Sequence, residues 1–135
     1  MIEFANVPKV AFDEMNLVHA EEVELLNRVE ALLDTGASEE ALSEALETLF
    51  EHTRAHFANE ERLMRESGFP AYDMHKAEHD RVLNAFQLLM MDWRTQKDNG
   101  LIRDYVCAET PQWLHQHIAT MDTVTARFIA LAQGR

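Results

Sequence analysis

HFANEERLMRESGFPAYDMHKAEH, residues 56–79, decides how this chain folds. It opens with His56-x₃-Glu60 and closes with His75-x₃-His79. Residues four apart share a helix face, one turn above each other. On helices, each pair therefore aims two metal-binding side chains at one point. Ser67-Gly68-Phe69-Pro70 between the pairs is a break, so they belong to consecutive helices that fold back on each other. Burying an imidazole without a partner costs on the order of 1–3 kcal/mol, which a metal offsets and an apolar core does not. A carboxylate buried at Glu60 likewise needs a cation. The bland alternative is a surface His–Glu contact, which Glu61 would serve as well as Glu60. The sister pair at 75 and 79 argues against it.

Outward from this stretch lie His19 upstream and His117-x₄-Asp122 downstream. Taken alone, His19 reads more readily as a hydrogen-bonded core histidine than as a metal ligand. His117 and Asp122 are five apart, an advance of about 500°, or about 140° net. They are expected to flank a site from two sides of their helix. Seven ligand-type residues on four segments exceed a single zinc site closed by four. Imidazole suits iron, copper, nickel and zinc, and carboxylates bridge such ions. The pattern implies a dinuclear metal site. A ferritin-like site needs Glu-x-x-His on two helices, and the chain contains none.

Breaks at Asp34-Thr35-Gly36, 67–70 and Asp98-Asn99-Gly100 divide the 135 residues into four segments. Helices are predicted over about 11–34, 38–66, 71–97 and 101–132. Ser38 before Glu39 and Glu40 reads as an N-cap with acids in the first turn. The stripe Tyr72, His75, His79, Val82, Phe86, Leu89, Trp93 keeps i, i+3/i+4 order. Pro111 should bend or break the last helix near Thr110. Short connections imply antiparallel neighbours, hence an all-α, up-down-up-down four-helix bundle in one domain spanning 1–135.

Composition narrows the function. A 47 % hydrophobic content excludes general disorder, and four Gly with three Pro favour long helices. A net charge of −12 argues against nucleic acid and anionic membrane partners. The lone Cys107 has no disulfide partner and reads as a small buried hydrophobe. MIEFANVPKV carries no signal-peptide pattern and no segment reaches membrane-span length, so a cytoplasmic address is expected.

HFANEERLM at 56–64, Pro70 and HKAEH at 75–79 resemble the central signature of the hemerythrin family. WLHQHI at 113–118 followed by Asp122 is similar to its C-terminal signature, and His19 to its first-helix element. The resemblance covers nearly the whole chain, and the family's known bundle topology coincides with the short-connection argument. It implies two non-equivalent irons with a bridging oxide or hydroxide. His75, His79 and His117 would saturate one iron, His19 and His56 would hold the other, and Glu60 and Asp122 would bridge them. O₂, or another diatomic or peroxide ligand, would bind at the open iron in a dry pocket. Phe57, Trp113, Leu114 and Ile118 match the family's pocket lining, and read from the residues alone they are bundle core.

Three positions depart from an oxygen carrier of this family. Asn16 stands where Asp is common, His52 where an aromatic residue is common, and Glu22 where an apolar residue covers the open iron. Glu22 shares a helix face with His19. It is either an extra ligand or pocket acid, or a member of a solvated face with Glu21 and Glu24. His52 is either a pocket residue or an ordinary core or solvated histidine, and His115 is expected at the surface. The leading expectation is a non-haem di-iron protein that binds O₂ reversibly for storage, delivery or sensing. The alternative is a di-iron redox enzyme reducing O₂, peroxide or NO, with Glu22 and His52 supplying protons; a protein partner is not identifiable.

Overall fold

Ser38 begins the second helix by accepting a hydrogen bond from the Ala41 amide at 3.1 Å, with Glu39 and Glu40 filling the first turn. Gly68 ends it in the left-handed region at φ 71°, which a residue without Cβ adopts at no steric cost. In this computed structural model, which describes residues 7–134, the helices are α1 (Asp13–Asp34), α2 (Glu39–Ser67) and α3 (Tyr72–Gln96), followed by a fourth helical run. Part of the stretch read above for a signal, residues 1–6, lies outside the described residues.

The fourth run covers 99–132 in five pieces: Asn99–Ile102, Thr110–His117 and Thr123–Ala132 are α-helical, while Arg103–Glu109 and Ile118–Asp122 are π-helical. The break expected at Pro111 is absent. Thr110 keeps helical angles (φ −62°, ψ −44°), and its amide and hydroxyl both reach back five residues to the Tyr105 carbonyl. A proline ring clashes with the carbonyl four residues before it. The wider π turn relieves that clash without ending the helix.

The helices run alternately up and down as a four-helix bundle. Thr53 on α2 meets Glu22 on α1. Phe50 and Phe57 on α2 meet Phe86 and His79 on α3. The end distant from His19 and His56 is mostly apolar, with Val29, Leu42, Leu46, Trp93, Ile102 and Val106 buried in one cluster. Ion pairs Arg94–Glu47 (2.8 Å) and Arg103–Asp34 (3.0 Å) tie helices together at its rim. Among the described residues no helix is long and apolar enough to cross a membrane.

Candidate metal centre

All four helices deliver ligand-type groups to one buried layer: His19 from α1, His56 and Glu60 from α2, His75 and His79 from α3, and His117 and Asp122 from the fourth run. None is more than 5 % exposed. The x₃ pairs behave as helix geometry requires, with His56 Nε2 and Glu60 Oε2 at 2.6 Å and the His75 and His79 rings 4.4 Å apart.

The two carboxylates each divide their oxygens between two sides. Asp122 Oδ2 faces His19 Nε2 at 3.0 Å, while its Oδ1 faces His75 Nε2 at 3.1 Å and His117 Nε2 at 3.2 Å. Glu60 Oε2 faces His56 and, at 3.7 Å, His19; its Oε1 faces His79 at 3.2 Å and His75 at 3.6 Å. The donor atoms form two groups sharing Glu60: one with His75, His79, His117 and Asp122, the other with His19 and His56.

His117 and Asp122 correct the sequence expectation. They do not flank the layer from two sides, because Ile118–Asp122 is a π turn. A π turn closes over five residues instead of four, so an x₄ pair stacks as an x₃ pair does on an α-helix. Thr123 Oγ1 marks it, donating to the Ile118 carbonyl five residues back at 2.6 Å.

Seven buried polar atoms of the layer have no hydrogen-bond partner among the described residues: both ring nitrogens of His19, His56 Nδ1, Glu60 Oε1, His79 Nε2 and both Asp122 oxygens. Orphaned buried groups are costly. Convergent nitrogen and carboxylate donors without a thiolate fit a borderline cation. Without metal, the layer compensates its own charge. Burial opposes the charged form of His19, but the Asp122 and Glu60 carboxylates facing it outweigh burial and hold the pKa at about 9. Burial likewise opposes ionisation of Glu60, yet the His56 charge and the facing imidazoles of His19, His56 and His79 hold it well below the usual range. Asp122 is held low against burial and the Glu60 charge by His117, His19 and His75. A cation entering this layer displaces protons from it.

Around the layer, Phe57 stacks on His79 (3.9 Å, 2° between planes) and Trp113 on His117 (4.5 Å, 18°). Leu114 and Ile118 are buried in the core. Glu22 is 5 % exposed, so it does not join Glu21 and Glu24 on a solvated face. Its oxygens take hydrogen bonds from His52 Nδ1 and from Thr53 Oγ1 (2.5 Å). The other His52 nitrogen meets exposed Glu21 at 3.1 Å. The hydrogen bond to Glu22, more than burial opposes, raises the His52 pKa. His115 is exposed, and Cys107 is half-buried against the core. Asn16 staples the segment before α1 by exchanging two 2.9 Å hydrogen bonds with the Val10 backbone.

Sequence reasoning missed two residues. Thr125 Oγ1 lies 2.8 Å from His75 Nδ1, and Glu61 Oε2 lies 3.0 Å from His79 Nδ1. Thr125 stands 50 residues from its partner, beyond any local pattern. Glu61 was visible only as a rival to Glu60.

Residues 10–129 match the family model described as the hemerythrin HHE cation binding domain. The chain is 36 % identical over 121 residues to a bacteriohemerythrin of Aquifex aeolicus, covering 90 % of this chain and 92 % of that protein. It is 32 % identical to one from Ralstonia nicotianae over 83 % of this chain and 77 % of that protein. A myohemerythrin of Sipunculus nudus is 38 % identical over 57 % of each chain. No solved structure matches.

Proposed function

The chain belongs to the hemerythrin family, and from that premise we propose that it is a non-haem di-iron protein that binds O₂ reversibly, for storage, delivery or sensing. The observation that carries this reading is the division of oxygens at Asp122 and Glu60, each turning one oxygen towards the side of His19 and His56 and the other towards the side of His75, His79 and His117. In this reading His75, His79 and His117 hold one iron and His19 and His56 the other. Glu60 and Asp122 would each offer oxygens to both irons, and solvent would supply the oxide or hydroxide. The iron pair, when bound, supplies the electrons that O₂ binding draws on.

The chain's own groups do the rest. The side with two histidines offers one protein donor fewer, which suits it to a small exogenous ligand. Phe57, Trp113, Leu114 and Ile118 enclose the layer and exclude water, which protects a bound oxidant from hydrolysis. A cytoplasmic address remains part of the proposal.

A second reading, a di-iron redox enzyme acting on O₂, peroxide or NO, is favoured by one observation. Glu21, His52 and Glu22 form an unbroken hydrogen-bonded line from solvent to a buried acid one turn from His19. Such a line brings protons towards the side with two histidines. In the first reading Glu22 is a pocket acid; in the second it is a proton donor or an added ligand.

Metal analysis with visible spectra of the reduced protein before and after air tests both. Two irons per chain and an oxygenated form lasting minutes are expected for the carrier. Rapid decay with turnover favours the enzyme, and one tightly bound iron in fully loaded protein refutes the dinuclear site.

A further inference from the structure

Glu60 and Glu61 are adjacent in sequence but leave α2 about 100° apart, and they reach the same imidazole from opposite ends. Glu60 Oε1 faces His79 Nε2 at 3.2 Å from inside the layer, while Glu61 Oε2 meets His79 Nδ1 at 3.0 Å from outside it. The Glu61 side chain is 13 % exposed, so water does little to weaken this contact. A carboxylate accepting from Nδ1–H turns the Nε2 lone pair inward, fixes the ring and makes that nitrogen a stronger donor. Phe57, stacked flat on the same ring, locks its plane. His75 receives weaker support, since its Nδ1 meets the neutral hydroxyl of Thr125. The other side lacks such support, because Nδ1 of His19 and of His56 has no partner among the described residues.

From this asymmetry we infer that Glu61 is a positioning residue, acting through His79, that makes the site with three histidines the tighter of the two metal positions and the first to fill. The inference rests on the reading of two separate metal positions given above. Glu61 touches neither metal position itself. Its influence passes along the imidazole, so it depends on the carboxylate charge and not on hydrogen bonding alone.

That distinction makes the inference testable with Glu61→Gln, which keeps an oxygen to accept from Nδ1–H and removes the charge. Metal-free protein is titrated with Co(II) alone, followed by calorimetry and visible absorption, and its melting is measured in parallel. The native chain should bind two ions in two steps, the first tighter. In Glu61→Gln the first step should weaken about ten- to a hundred-fold. The second step and the melting temperature of the metal-free protein should stay in place. A purely structural hydrogen bond would be rescued by Gln, so an unchanged first step overturns the inference. Equal weakening of both steps, or two indistinguishable steps in the native chain, overturns it too. Fewer than two ions in the native chain would instead refute the dinuclear reading on which it rests.

Discussion

Raising the pH of the metal-free protein from 6.5 to 9 should remove about 3 kcal/mol of its folding stability, chiefly through His19. This imidazole is 1 % exposed, and the anions at Asp122 and Glu60 hold its pKa at about 9 despite burial. An unfolded-chain histidine titrates near 6.5 and each pH unit between the two values is worth about 1.4 kcal/mol, which gives about 3 kcal/mol. A folded pKa above the unfolded one means the stabilisation is complete below about pH 6.5 and is lost as pH rises through 9. His52 and His56 are also raised and add to the same slope. Urea unfolding followed by helical circular dichroism, with chelator present at pH 6, 7.5 and 9, measures the effect. For a urea dependence of roughly 1–3 kcal/mol per molar, the midpoint should fall by about 1–3 M. Metal-loaded protein should lack this loss, since a coordinated His19 has no proton to give up. His19→Gln should flatten the metal-free profile. Metal-free curves that coincide between pH 6.5 and 9, or stability that rises, would refute the charge compensation assigned to the layer.

Replacing His75 or His79 by Ala should unload metal and lower the melting temperature, because carboxylates are left under-compensated in the core; full loading in either variant, by metal analysis, contradicts the ligand set. Glu22→Leu should lengthen the lifetime of the oxygenated protein in air, since it interrupts the line from Glu21 through His52. Decay at the native rate would show that Glu22 delivers no protons. Deleting Ala119 should convert the π turn to an α turn and leave His117 and Asp122 four residues apart, about 40° from alignment, so that they still share a face. Helix content and bound metal should both persist, and loss of metal would show that the five-residue closure does more than restore the stacking of an x₃ pair.

The four-helix bundle and the membership of the buried layer were legible because an x₃ spacing and a helix face are the same statement. The pairs 56/60 and 75/79 needed nothing beyond the α period, and His19 joined them once a common layer was assumed. The pair 117/122 was legible as ligand types but not as geometry. A period of 3.6 placed the two on different sides, and only the five-residue closure over Ile118–Asp122 stacks them. Pro111 misled in the same way, since its clash is relieved by a wider turn upstream and not by a break. Glu22 could be assigned to the His19 face but not to burial. Its partners His52 and Thr53 lie on another helix, 30 and 31 residues away.

A bundle of this size that buries five imidazoles and two carboxylates in one layer needs stability from elsewhere, and the fold separates the two tasks along its length. The apolar end, with Val29, Leu46, Trp93, Ile102 and Val106 almost fully enclosed, holds the helices together without reference to metal. In the polar layer each carboxylate lies within 3.7 Å of at least three imidazoles, so its charge is already answered before a cation enters. A metal-free chain is therefore expected to stay folded near neutral pH, with metal binding displacing protons from the layer. The ordering cost falls on folding and not on loading, which lets an outer group such as Glu61 act on affinity without deciding whether the bundle forms.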